Sequence, residues 1–187
     1  MKRRAPMLCC LAAVLSLAAG CARYVPLPDP VETVAQDRYG TTQRAAGLLL
    51  TVRIVGWDDA PLQRLEPYVT VFHVAVRNEG VADVHFDPLQ TVLVDDAGTL
   101  YRPLPPERLE RMLNPPAVPL GGVADAAVYP YDTDFAATLG ALTGGAVGPG
   151  TQVRGAIYFQ RVADRARELT LRLPIAGQVR EFRFRVQ

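Results

Sequence analysis

The sequence is poor in the residues that perform nucleophilic chemistry. It contains three cysteines and two histidines, and Ser16 is its only serine. Serine and thiol hydrolases need such a nucleophile beside an activating base, so this composition argues against both classes. A glycine-rich phosphate loop of the form GxxxxGK[ST] is also absent from the sequence. We therefore predict that the protein is not an enzyme and binds no cofactor.

The charge distribution gives no sign of nucleic-acid binding. The whole chain carries a net charge of +1, and its first basic residues are Lys2, Arg3 and Arg4. Without residues 1–20 the charge falls to about −2, since the 19 acidic residues all lie later in the chain. Nucleic-acid-binding domains carry a strong basic excess. We expect no nucleic acid among the partners.

The N-terminus, MKRRAPMLCCLAAVLSLAAGCARY, has the three parts of an export signal. A positive segment precedes an uncharged run over residues 7–20, and small residues lead to Gly20 and Cys21. A membrane-spanning helix needs about 20 apolar residues, so this run is too short to span and fits a cleaved signal peptide. We assign residues 1–20 to that signal peptide.

The residues before Cys21 resemble the lipobox of bacterial lipoproteins. The resemblance implies cleavage between Gly20 and Cys21, a diacylglycerol on the Cys21 thiol, and a fatty acyl chain such as palmitate on the new amino group. It departs from the usual pattern at Ala18, where leucine is common. Ala22 favours sorting to the outer membrane, facing the periplasm. The alternative is an ordinary signal peptide cut near Ala18 or Ala19, which would leave Cys21 as a free thiol.

Residues 21–46 lack a sustained period and contain three early prolines. We predict that they form the lipidated N-terminus and an extended tether, which would reach roughly 80 Å when fully stretched. Residues 47–187 are predicted to form one domain.

That domain shows the alternation of β-strands. Phe72, Val74 and Val76 share one face of an apolar segment, and Phe182 and Phe184 alternate with charged residues near the C-terminus. A short helix is predicted at PERLERMLN, which begins at residue 106. Residues 114–147 form a long Gly/Ala/Pro-rich insertion. We predict a mostly β fold, an immunoglobulin-like antiparallel β-sandwich with one short helix.

The segments 48–113 and 148–186 resemble a telokin-like, immunoglobulin-fold domain found in bacterial lipoproteins of unknown function. The resemblance rests on an Asn-x-Gly turn, an Asp-x-x-Gly turn followed by tyrosine, and a late Pro-Gly before a strand. The matching residues are Asn78, Gly80, Phe86, Asp95, Gly98, Tyr101, Pro149, Gly150, Gly155 and Phe159. It implies the fold and no particular activity.

Two residue clusters contain side chains that could bind a metal. His73 and His85 could share a metal with Asp83 or Asp87 if their strands were adjacent, but a catalytic zinc site needs three protein ligands. Asp95 and Asp96 lack the spaced oxygen ligands of a calcium loop and fit a β-turn instead. We predict no metal site and no catalytic residue.

An aromatic and acidic segment lies inside the insertion. Its members are Tyr129, Tyr131, Asp132, Asp134 and Phe135. Side chains of this kind suit the recognition of a protein or a glycan, although the aromatic rings could also cover a sheet edge. The segment is therefore a candidate partner-binding loop, and both interpretations stay open.

These observations favour a lipid-anchored envelope lipoprotein that acts as a non-catalytic binding module. Its partners would be the membrane, through the lipid, and an envelope protein or a cell-wall component. Two alternatives stay open at this point. One is a hydrolase of envelope polymers that uses paired carboxylates, and the other is a structural accessory subunit without a small ligand.

Overall fold

The computed structural model describes residues 24–54, 65, 67–113 and 140–187. The strands are β1 Tyr24–Leu27, β2 Thr33–Gln36, β3 Gly40–Ala45, β4 Leu48–Ile54, β5 Val69–Asn78, β6 Val84–Phe86, β7 Val92–Asp95, β8 Leu100–Tyr101, β9 Gly145–Val147, β10 Gln152–Gln160, β11 Glu168–Ile175 and β12 Gln178–Val186. One α-helix, α1, spans Pro106–Leu113 in this part of the chain, and Pro88–Gln90 forms a 3-10 turn.

The strands form two antiparallel sheets. The five-stranded sheet has the order β10-β5-β4-β3-β2. In the seven-stranded sheet, β1, β12 and β11 lie side by side, and the far edge of β11 pairs with both β7 and β6. Strand β8 extends from β7, and β9 extends from β6. This arrangement confirms the predicted mostly β sandwich with one short helix.

The main core lies between the two sheets and uses the predicted faces. Phe72 and Phe184 are fully buried, with ring centroids 5.2 Å apart, so they join the two sheets directly. Phe159 meets Phe72 edge-on at 6.0 Å. Aromatic pairs in this geometry stabilise a core beyond their buried area alone. The period-2 alternation thus identified the inner faces of β5 and β12 correctly.

Residues 24–45 are not the tether that the sequence suggested. Strand β1 pairs with β12, and β2 and β3 complete the five-stranded sheet beyond β4. Their alternation was hidden because the inward residues of β3 include the polar Thr41 and Gln43, both buried. Gln43 donates to the carbonyl of Glu181 across the sandwich at 3.1 Å, which offsets part of the cost of its burial.

A second, smaller core lies on the outer face of the five-stranded sheet. Helix α1 buries Leu109 there, against Val71 and Tyr158 of the neighbouring strands β5 and β10. The sequence predicted this helix correctly from its N-terminal prolines. Burial raises the pKa of Tyr158 to about 12, so its phenol stays neutral at physiological pH.

The end of the predicted insertion belongs to the sandwich. Gly140 and Leu142 exchange backbone hydrogen bonds with Ala156 at the edge of β10, and β9 then pairs with β6 of the other sheet. The chain therefore crosses between the sheets here and closes one side of the sandwich. The insertion is shorter than predicted, because residues 140–147 are part of the fold.

The two ends of the sandwich differ, and each is named after one residue. Tyr24 begins β1 at the Tyr24 end, which also carries residues 37–39, residue 68, the turn at residues 96–98 and the loop at residues 161–167. The Gly177 end carries the opposite turns, including the tight two-residue hairpin turn Ala176-Gly177 between β11 and β12. Both residues of that turn have positive φ, 52° and 72°, as a type I′ turn requires.

The turn after β7 at the Tyr24 end is organised by Asp95. Its carboxylate accepts hydrogen bonds from the amides of Ala97 and Thr99 and from the hydroxyl of Tyr101, at 2.7–3.0 Å. Burial alone would raise the pKa of Asp95, but these hydrogen bonds outweigh burial and hold the pKa below its ordinary value. The β-turn predicted at Asp95 and Asp96 is therefore present.

We expect Asp95→Asn to lower the free energy of unfolding by about 1 kcal/mol at pH 7, because a charged acceptor is replaced by a neutral one. The pKa of Asp95 is lower in the folded than in the unfolded chain, so its contribution is present above pH ~4 and is lost as pH falls further. The difference from wild type should therefore shrink below pH ~4. Urea unfolding at several pH values measures it, with the exposed Asp83→Asn as the control. An equal difference at every pH would contradict the prediction.

Candidate functional site

The site residues predicted from the sequence lie outside the described residues. Gly20 and Cys21 precede the first described residue, Tyr24, and the proposed binding loop at residues 129–135 falls between residues 113 and 140. The structure nevertheless fixes where each segment joins the fold. The predicted lipidation position, Cys21, is only three residues before β1, and the predicted loop begins after the end of α1 and ends beside β10.

Tyr24 is held firmly in the sandwich. It pairs with Val186 at the start of the β1-β12 ladder, and its hydroxyl donates to the carbonyl of Ala166 at 3.1 Å. Burial, followed by the charge of the nearby Asp96, raises the pKa of Tyr24. The first described residue, Tyr24, is therefore already part of the folded sandwich.

The surface around Tyr24 combines arginines with exposed tyrosines. Arg165 and Arg167 are exposed and have no ionic partner among the residues that the structure describes. Tyr68 is 57% exposed, and its carbonyl accepts the amide of Arg161 at 2.8 Å. No sequence pattern predicts this surface, because its residues come from loops that are far apart along the chain.

Tyr39 adds a second exposed ring at the Tyr24 end. It is 43% exposed, and the guanidinium of Arg38 lies over its ring at 5.4 Å. Within the described segments, these two tyrosines are the ones with the largest exposure. A phenol ring has an apolar body and a polar tip, which suits the boundary between water and lipid.

The two histidines do not come together. His73 lies on β5 of the five-stranded sheet, and His85 lies on β6 of the seven-stranded sheet. In the part of the chain that the structure describes, no group of three histidine, cysteine or acidic side chains is arranged to hold a metal ion. The shared metal site that was considered from the sequence therefore has no support here.

A shallow groove of about 280 Å³ lies at the Gly177 end. It is bounded by His85, Asp87 and Gln90 on one side and by the hairpin at residues 174–179 on the other. The carboxylate of Asp87 accepts from the amide of Leu89 and the side chain of Gln90, at 3.0 and 3.2 Å. Paired-carboxylate hydrolysis needs two acids, and this groove contains one.

A basic area occupies the outer face of the five-stranded sheet where α1 does not cover it. We call Arg44, Arg53, Arg77 and Arg154 the arginine face, because the strand register places them on four neighbouring strands with outward side chains. Arg44 forms a salt bridge with Glu79 at 3.1 Å, and Arg53 forms one with Asp37 at 2.6 Å.

The other two members of the arginine face have no such pairing. Arg77 and Arg154 are exposed and diagonal to each other on β5 and β10, without an ionic partner in the described segments. Arginine presents a planar fork of donors that matches carboxylate and phosphate groups. The alternation along β5 placed Arg77 on the outer face, but strand pairing was needed to bring it beside Arg154.

No helix among the described residues is long and apolar enough to cross a membrane. No family model matches the chain, so the resemblance to telokin-like domains stays a prediction. No curated protein sequence matches it either.

Two solved structures from Bacillus subtilis resemble the fold. The YjhA protein is 16% identical, with 71% of this chain and 76% of YjhA covered and a TM-score of 0.41. A protein described as a "putative lipoprotein (ycdA)" is 14% identical, with 76% of this chain covered and a TM-score of 0.43. This chain spans only 38% of the length of the second protein. With TM-scores below 0.5, neither similarity assigns a family or a function.

Proposed function

We propose that this protein is a lipid-anchored lipoprotein of the bacterial cell envelope, held in the outer membrane and facing the periplasm. The observation that carries the proposal is the position of Cys21, directly after a signal-like segment and three residues before the first strand of the sandwich. The proposed anchor at Cys21 is therefore almost directly followed by β1. A single acyl chain binds a membrane only marginally, whereas two or three hold a protein stably.

The sandwich acts as a non-catalytic binding or accessory module. Among the described residues, the arginine face supports this role, since Arg77 and Arg154 present guanidinium groups without an ionic partner on the outer face of the five-stranded sheet. Such groups fit the carboxylates of an acidic envelope protein or the acidic groups of a cell-wall component. The segment at residues 129–135 remains the second predicted contact region.

Cys21→Ala is expected to abolish lipid attachment and to release the protein from the membrane fraction. Cells grown with a clickable fatty acid report the label, and the mass of the mature N-terminus reports the cleavage site. The double variant Cys9→Ala/Cys10→Ala is the matched control, because both residues lie in the predicted signal peptide and should leave the label intact. Density-gradient separation of the two membranes then assigns the location.

A fatty-acid label that persists on Cys21→Ala would contradict the proposal. So would a mature N-terminus that begins before residue 21 in the wild-type protein. Label found only in the inner-membrane fraction would leave the anchor in place and overturn the outer-membrane assignment.

A further inference from the structure

The connection between the proposed lipid and the folded domain is very short. Three residue steps separate Cys21 from Tyr24. An extended chain spans at most about 3.6 Å per residue, so the two Cα atoms are at most about 11 Å apart. An acylated cysteine lies at the headgroup level of the membrane, because its acyl chains lie in the hydrocarbon. Tyr24 must then stay close to the headgroup layer.

The same connection determines which end of the sandwich faces the lipid. Tyr24 cannot detach from the domain without breaking its pairing with Val186 and its hydrogen bond to Ala166. Ala166 lies in the loop at residues 161–167, so this loop sits beside the point where the chain enters the fold. The Gly177 end lies at the opposite ends of the same strands.

The chemistry of the Tyr24 end fits a membrane surface. Arg165 and Arg167 are exposed without ionic partners in the described part of the chain, and phosphate groups accept hydrogen bonds from guanidinium forks. Among the described residues, Tyr39 and Tyr68 are the large exposed aromatic residues at this end. Tyrosine is enriched at the interface between membrane and water, where its ring enters the headgroup region and its hydroxyl stays hydrated.

We infer that the Tyr24 end of the sandwich rests directly on anionic phospholipid headgroups, with Tyr39 and Tyr68 at the interface and Arg165 and Arg167 on the phosphates. This inference depends on the proposed anchoring of Cys21. The protein is then a membrane-apposed module and not a domain carried on a long stalk. Its Gly177 end points away from the bilayer.

A tryptophan-quenching experiment tests the contact. The mature chain is coupled through the Cys21 thiol to a maleimide lipid in vesicles of phosphatidylcholine and phosphatidylglycerol, some carrying acyl chains brominated near the headgroup. In a Trp57→Phe background, Tyr68→Trp is the reporter at the Tyr24 end. Val179→Trp is the matched control at the Gly177 end, because Val179 is 59% and Tyr68 57% exposed.

We expect the brominated lipid to quench the tryptophan at position 68 and not the one at position 179. Equal quenching at both positions, or none at position 68, would overturn the inference. Circular dichroism of each variant verifies that the sandwich is intact. Chemical coupling makes the test independent of cellular lipidation, so failure of the cysteine labelling experiment and failure of this contact are distinguishable.

Charge variants identify the residues that make the contact. A basic residue near an anionic surface contributes roughly fivefold in affinity. Arg165→Gln with Arg167→Gln should therefore lower the ratio of docked to undocked protein by roughly 25-fold, seen as loss of quenching at position 68. Arg77→Gln with Arg154→Gln changes the charge equally and should leave the quenching unchanged. A loss of quenching with the second pair alone would move the contact to the arginine face and overturn the inference.

Discussion

Replacing Asn78 by alanine is expected to lower the free energy of unfolding by roughly 3 kcal/mol. The Asn78 amide is buried and donates to the carbonyls of Ala82 and Val147, at 2.7 and 2.8 Å, and its oxygen accepts the amide of Gly80 at 2.9 Å. Each lost hydrogen bond costs about 1 kcal/mol, and a buried group left without a partner costs more. Urea unfolding of the mature chain measures the change.

The hydrogen bond from the Asn78 side chain to the carbonyl of Val147 connects the two sheets. Asn78 ends β5 in one sheet, and Val147 ends β9 in the other, so one amide joins the two sheets at the Gly177 end. Thr151→Ala is the matched control, because its hydroxyl makes one exposed hydrogen bond, to Gly148, at the same end. We expect that control to cost less than ~1 kcal/mol. Equal losses for the two variants would show that the bond between the sheets contributes little.

Gly155→Ala is expected to cost about 3 kcal/mol or to prevent stable folding. A Cβ atom at this position would lie 2.8 Å from the carbonyl oxygen of Gly140 and from two backbone atoms of Leu142. Those atoms belong to the segment that crosses between the sheets, so they cannot move aside as a flexible side chain could. Overpacking of this kind typically costs 1–3 kcal/mol and can exceed that range. Thermal unfolding monitored by circular dichroism measures the loss.

Gly148→Ala provides the comparison for the same chemical change. A Cβ there would meet its nearest neighbours at 3.6 Å or more, which is ordinary contact distance, and its backbone φ is not in the left-handed region. Alanine also restricts the unfolded chain more than glycine does, so we expect a neutral or slightly stabilising effect. Equal destabilisation at positions 148 and 155 would contradict the role given to the crossing segment.

The inner faces of β5 and β12 were predictable from the sequence. The period-2 alternation places Phe72, Val74 and Val76 on one face of β5 and Phe182 and Phe184 on one face of β12, and all five side chains are buried. Helix α1 was also predictable, because a proline at its first position is compatible with a helix start. Such patterns involve residues that are close together along the chain, so the sequence alone is enough to recognise them.

The three N-terminal strands could not be predicted in the same way. Pro26 lies in β1, where an edge strand tolerates a missing amide donor, and the buried positions of β3 are occupied by Thr41 and Gln43. Their burial depends on β12 and β4, which lie elsewhere in the chain. Hydropathy therefore carried no signal for these strands.

The candidate functional residues also divide into those that a local sequence motif predicts and those that only the folded structure brings together. Cys21 and its neighbours form a local motif and were predicted as the lipid attachment site, which remains a prediction. The Tyr24 end and the arginine face could not be seen from the sequence, because their residues meet only through strand pairing. Tyr39, Tyr68 and Arg165, for example, belong to three loops joined by backbone hydrogen bonds and sheet register.

The pairing of β1 with β12 sets an order for biogenesis. The first strand of the sandwich finds its partner in the last, Tyr24 opposite Val186. A chain that is made N-terminus first therefore has to wait for its final residues before β1 can pair. Until then, β1 stays without its partner strand. On the proposed anchoring through Cys21, this order would keep the proposed lipidation site accessible until the last strand is available, and completion of the fold would then close it.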